Sequence, residues 1–252
     1  YNLVTADKDT TVDVFARNIQ AGMTQLISDT QVVLEQPVLP LLGEQLSNGS
    51  NRRQLSDNGQ YLVFTTEEAL NVLDTNGLVD VYRRNRLTGE VHWVSVASNG
   101  ESSNPSISAD GNIVAFESLA TNLDPLATLG SRNIFVRNIS AGTTRLVSMK
   151  DDESASANGF SISPVLSADG NVVAYVSSAT NLDAKASVGH FNIYVRNIAA
   201  GTTRLVSVND SETAASNNNS TSPILSADGN VVAFESTATN LSSQAASGYT
   251  NI

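Results

Sequence analysis

The chain of 252 residues contains no cysteine, which excludes a disulfide framework, a thiolate nucleophile and any cysteine-ligated metal. Histidine is nearly as scarce. His92 and His190 stand in unrelated surroundings, so they offer neither a metal cluster nor an oriented base for a hydrolytic mechanism. A single tryptophan is too little for the exposed aromatic platform of a carbohydrate-binding surface. No apolar run is long enough to cross a bilayer as a helix, so membrane insertion is not expected. Positive charge is also short: 14 Lys and Arg face 25 Asp and Glu, for a net charge of −11. Without a basic stripe, nucleic acid is excluded as a partner. Tyr1 follows no basic-then-apolar leader, and the expectation is a mature or trimmed product. Absent cysteine and few lysines suit a secreted, cell-surface or periplasmic setting.

What the chain has instead is a repeated text. Leu166 to Leu182 reads Leu-Ser-Ala-Asp-Gly-Asn-Val-Val-Ala-Tyr-Val-Ser-Ser-Ala-Thr-Asn-Leu, and Ile107 to Leu123 and Leu225 to Leu241 carry nearly the same words. Leu55 to Phe64 is a worn copy, with Asp57-Asn58-Gly59 in place of Ala-Asp-Gly. The motif serines Ser56, Ser108, Ser167 and Ser226 are spaced by 52, 59 and 59 residues, in the range of propeller blades and solenoid turns.

Each unit follows one grammar. A short strand ends at the Asp-Gly motif, and a second follows at Tyr61 to Thr65, Ile113 to Ser118, Val172 to Ser177 and Val231 to Ser236. A third comes at Asp80 to Arg84, Asn133 to Arg137 and Asn192 to Arg196. A fourth, after a Gly-bearing turn, comes at Glu90 to Val96, Thr143 to Met149 and Thr202 to Val208. The pattern predicts one all-β domain, a β-propeller of four-stranded antiparallel blades with about four to five repeat units visible. Residues 1–30 form a half blade, with strands at Val12 to Arg17 and Met23 to Ile27; 31–54 is an insertion; 55–106, 107–165 and 166–224 are repeat units, and 225–252 is a partial one. The unmatched halves would close a ring of four blades if paired, but the loop before the third strand would then occur twice. The reading favoured over a tail outside a closed ring is therefore a window from a longer propeller of about six to eight blades.

Within the strands, Val114 and Phe116, Val173 and Tyr175, and Val232 and Phe234 share one face at a period of two, with small residues between them where blades stack. The Ser beside Asp in the motif has a catalytic look, but a nucleophile is needed once and a turn in every blade, so the motif reads as a turn-former. The Arg-Asn pair that ends each third strand, at Arg17, Arg84, Arg137 and Arg196, reads as a tie from the strand end to a neighbouring carbonyl or carboxylate.

The wording Ser226 to Ser236, then Ala-Thr-Asn-Leu, Asn-Ile-Tyr-Val-Arg-Asn and Ala-Gly-Thr-Thr-Arg-Leu-Val-Ser, resembles the TolB-type, WD-like β-propeller repeats of bacterial secreted, periplasmic and surface proteins. The resemblance spans nearly everything but the insertion. It implies a propeller that serves as a binding platform or scaffold, or as an accessory domain of a peptidase, and the fold alone selects none of these.

Candidate sites lie where the copies disagree. Asp74, Asn76 and Asp80, with Gly77 between them, resemble the start of a calcium loop, and Asp7, Asp9 and Asp13 occupy the equivalent loop of the first half blade. An Asx-type turn accounts for the same residues without an ion, so calcium is the one cofactor to test. Val32, Val33, Leu34, Val38, Leu39, Leu41 and Leu42 make the insertion too apolar for an ordinary loop; it either caps the propeller or faces a protein partner. Trp93 is expected to fill the place of Leu146 and Leu205, and His92 that of Arg145 and Arg204. Glu67 and Glu68 are adjacent and point to opposite faces of a strand, which argues against an acid–base pair. The reading is a non-enzymatic scaffold module with a protein partner or self-assembly. The alternative is the propeller of a hydrolase, peptidase or lyase whose catalytic residues lie outside this chain.

Overall fold

The computed structural model describes residues 54–127 and 130–243, Thr250, and the strand course of 15–18 and 23–26. Every regular element among them is a strand: β1 (Phe15–Asn18), β2 (Met23–Leu26), β3 (Tyr61–Thr66), β4 (Asp80–Asn85), β5 (Val91–Trp93), β6 (Ser102–Ile107), β7 (Ile113–Ser118), β8 (Asn133–Asn138), β9 (Thr143–Leu146), β10 (Ser161–Leu166), β11 (Val172–Ser177), β12 (Asn192–Asn197), β13 (Thr202–Leu205), β14 (Ser220–Leu225) and β15 (Val232–Ser236). They form antiparallel sheets in sequence order: β1-β2, β3-β4-β5, β6-β7-β8-β9, β10-β11-β12-β13 and β14-β15. In the β3 sheet the described residues ahead of β3 make a single bridge, Leu55 to Leu62.

Successive four-stranded meanders stacked face to face are the blades of a β-propeller. The sheets start at Ser102, Ser161 and Ser220, five residues ahead of unit boundaries drawn at 107, 166 and 225. The strand before the Asp-Gly turn therefore belongs with the strand after it. The fourth strands are shorter than the sequence pattern suggests, because the chain turns in after Leu146. The N–H groups of Val147 and Ser148 both reach the Ile134 carbonyl, at 2.8 and 3.4 Å. Each complete first strand bulges ahead of a proline, with positive φ at Asn104, Ser163 and Ser222.

The alternation of side chains gives each blade two unlike faces. One carries an aromatic pair across the second and third strands: Phe64 with Tyr82, Phe116 with Phe135, and Tyr175 with Tyr194, with ring centroids 5.9 to 6.2 Å apart. The other carries small and β-branched residues. Phe116, Phe135 and Leu146 pack on Val63, Val81 and Val94 of the preceding blade. Tyr175, Tyr194 and Leu205 pack on Ala115, Ile134 and Val136 in turn. The cores thus lie between blades, large against small, and no blade buries its apolar surface alone. Trp93 sits opposite Tyr82, in the register of Leu146 and Leu205, and is buried.

Candidate functional site

The repeated motif does more than turn the chain. Within the turn, the Ser108 hydroxyl donates to Asp110 Oδ1 at 2.5 Å, and that oxygen also accepts the Asn112 N–H at 2.9 Å. The copies at Ser167 and Ser226 repeat this. Between turns, the Ala109 N–H donates to the Ala168 carbonyl and the Ala168 N–H to the Ala227 carbonyl, both at 2.8 Å, while Asp57 N–H reaches the Ala109 carbonyl at 3.0 Å. The motif glycine completes the joint. Gly170 has φ +76°, and a Cβ there would lie 2.7 Å from Ile113 of the preceding blade; Gly111 stands in the same way against Tyr61, and Gly229 against Val172. Only glycine meets both the backbone and the contact demand.

At the opposite end of the blades, a threonine-asparagine clasp joins the loop after the second strand to the loop entering the blade. Asn158 donates its N–H to Asn181 Oδ1 (2.9 Å) and its amide to the Thr180 hydroxyl (3.0 Å), and accepts the Thr180 N–H (2.8 Å). Asn99 with Thr121 and Asn122, and Asn217 with Thr239 and Asn240, make the same set. The Thr-Asn-Leu wording is therefore structural.

The structure brings Asp74, Asn76 and Asp80 together. Asp80 is fully buried; its Oδ1 accepts the Ser95 and Ser98 hydroxyls at 2.5 and 2.9 Å, and its Oδ2 accepts the Asn76 amide at 2.9 Å. Asp74 accepts the Tyr82 hydroxyl, and burial together with this carboxyl raises the Tyr82 pKa well above its ordinary value. Asn76 accepts the Leu78 N–H at 2.7 Å, the geometry of an Asx turn. Calcium takes six to eight oxygens free of competing donors. Here hydroxyl and amide donors hold the carboxyl oxygens. Among the described residues, no group of three or more His, Cys, Asp or Glu is placed to hold a metal. Asp7, Asp9, Asp13 and the stretch Val32 to Leu42 lie outside the described residues.

Two polar networks join adjacent blades. Glu117 is buried against Arg132 (3.2 Å), Ser103 (3.2 Å) and Asn104, and its second oxygen accepts the Ser163 N–H of the next blade at 3.0 Å. Arg196 donates to Glu153 at 2.5 Å and to the Lys150 carbonyl at 3.3 Å, both from the preceding blade. That is the strand-end tie expected of this position. Arg137, at the same place one blade earlier, reaches, among the described residues, only the Thr144 hydroxyl of its own sheet at 3.1 Å. His92 pairs with Glu90 at 3.0 Å on the surface. An open cleft of about 370 Å³ runs between Lys150, Asp152 and Asp183, with no feature that selects a ligand.

These sheets, joints and inter-blade cores define a β-propeller. No family model and no curated protein matches the sequence. Among solved structures, TolB from Acinetobacter baumannii is similar at 16% identity and a TM-score of 0.49, over 91% of this chain and 46% of that one. An oligogalacturonate lyase in complex with manganese is similar at 14% identity and 0.47, over 87% and 49%. A tricorn protease is similar at 12% and 0.46, over 90% and 22%. This chain spans about half or less of the length of each, and identities this low speak to fold alone. Among the described residues, no helix is long and apolar enough to cross a membrane.

Proposed function

We propose that this chain is a binding or structural module, non-enzymatic, of a larger secreted or periplasmic bacterial protein or assembly, and that the outward face of β14-β15 packs against further β-structure there. The observation that carries this reading is a break in an otherwise regular pattern of burial. Ala115 and Ala174 are fully buried and Glu117 nearly so, each beneath the next blade. Their counterparts Ala233 and Glu235 are exposed. Val231, which matches the residues that seat the next glycine turn at Ile113 and Val172, is 64% exposed, and Ile224 is 42% exposed. A contiguous face with small residues at its centre is what a neighbouring sheet packs on.

The polar side chains support the structural side of the reading. Asp80, Glu117, Asn158 and Arg196 are committed to holding strands and loops. The apolar stretch Val32 to Leu42 is a second proposed contact. The test is hydrogen exchange on β15 with Ala233→Asp, in this chain and in the full-length protein. We expect slow exchange in the full-length protein and a loss of about 2 kcal/mol or more on burying the charge, against roughly 0.5 kcal/mol or less in the chain alone. Equal exchange and equal tolerance in both would sink the reading.

A further inference from the structure

The blade β10–β13 shows how its strand-end arginine is satisfied. The loop Lys150 to Ala155, leaving the preceding blade, lays Glu153 on Arg196 Nη2 at 2.5 Å and Asp151 on the Thr203 N–H at 2.5 Å. The Thr203 hydroxyl accepts from Arg196 Nη1 at 2.8 Å and donates to the Met149 carbonyl at 2.8 Å. Two carboxylates two residues apart thus occupy one arginine and one outward N–H at the blade's outer edge. Arg196 is buried beneath them, its side chain 3% exposed.

The blade β6–β9 has the same seat. Arg137 pairs with Thr144 in the register in which Arg196 pairs with Thr203, so the Thr144 N–H also points off the sheet edge. The loop that would bring the acids is shorter. Eight residues, Val94 to Glu101, join β5 to β6, where fourteen, Val147 to Phe160, join β9 to β10. The asparagine clasp fixes where the difference falls: Asn122 donates to the Ala97 carbonyl as Asn181 donates to that of Ser156. Lys150 to Ala155 therefore has no counterpart between Val96 and Ala97. Among the described residues, Arg137 has no carboxylate partner, and its Nε is buried without an acceptor. Burial alone lowers its pKa, with no acid to offset it.

We propose that Arg137 with the Thr144 N–H forms a seat for an acidic peptide segment of a partner protein, carrying two carboxylates in an Asp-x-Glu spacing. Arginine's planar fork and an edge N–H are the donors such side chains require, and the chain's own Asp151-Asp152-Glu153 shows the fit. This seat is separate from the β14-β15 face, and the two can fail independently.

The probe is a labelled, end-capped peptide with the sequence of residues 149–156, followed by fluorescence anisotropy at about 0.1 M salt, where charge acts over about 10 Å. Saturable binding is expected, weakened about tenfold or more by Arg137→Gln and by a peptide with Asn and Gln for its first Asp and its Glu. Grafting Lys150 to Ala155 between Val96 and Ala97 should occupy the seat from within, abolish peptide binding and raise the thermal midpoint. It also serves as a folded control if Arg137→Gln misfolds. No binding by the unaltered protein, or binding that survives both the substitution and the graft, would overturn the proposal.

Discussion

At the glycine joints and the asparagine clasps, contacts are copied with the letters; around them, equivalent positions meet different neighbours. Gly111, Gly170 and Gly229 each sit under a residue of the preceding blade, and the turns are linked by the same single backbone hydrogen bond. At the loop end, Asp80 of one blade corresponds to Asn133 and Asn192 of the next two; nearer the turn end, Arg137 and Arg196 share a position but not a partner. The difference separates what the repeat must conserve to stack from what each copy can spend on its own chemistry. The joints and clasps carry the repeated geometry, and the positions around them carry individuality.

That contrast is broken most severely at a joint glycine. Gly170→Ala adds a Cβ 2.7 Å from Ile113 at φ +76°. Left-handed strain of about 1–2 kcal/mol and overpacking of about 1–3 kcal/mol predict a loss of about 2–5 kcal/mol by urea unfolding. A loss under about 1 kcal/mol would show that the joint yields. Next comes the loop end. Asp80→Ala leaves two buried hydroxyls and an amide without their acceptor, and should cost about 2–4 kcal/mol. Asp80→Asn should cost less than half of that, since asparagine serves the position in the other blades. The same network predicts a thermal midpoint indifferent to calcium chelation; a fall that Asp80→Asn abolishes would establish an ion there.

The smallest effect concerns acid. The Ser226 hydroxyl first, then the Asn230 side chain and N–H, hold the Asp228 pKa at about 2 against an ordinary 3.8. Ser167 and Asn171 lower that of Asp169 in the same way. A depressed folded-state pKa gives stability that is present above the unfolded value and lost as pH falls through the folded one. The motif turns should therefore weaken between about pH 4 and pH 2, and Ser226→Ala should return Asp228 toward 3.8 in a carboxyl NMR titration.

The fold was legible because its text is written in the chain four times; strand alternation placed Val114 with Phe116 and Val173 with Tyr175, and the match to Leu146 and Leu205 placed Trp93. The motif serine and aspartate were rightly assigned to a turn, since their partners lie within five residues. The second task of the glycine was not legible, because Tyr61, Ile113 and Val172 lie 50, 57 and 57 positions away from their glycines. In Asp74 to Asp80 the alternating oxygens were visible, but the donors Ser95 and Ser98 arrive from the following loop. The difference between Arg137 and Arg196 was present all along in a spacing of 52 against 59, six residues of which are the loop Lys150 to Ala155.

A socket made of glycine has a consequence for how such a chain changes over generations. The residue that meets the socket is Tyr61 in one joint, Ile113 in another and Val172 in a third, so the socket does not discriminate among its plugs. Unequal crossing-over between copies in the coding sequence would therefore deliver chains with a blade gained or lost whose new joint already fits. The repeat number can drift by whole blades without a period of misfit, while the loops at the other end diverge one copy at a time.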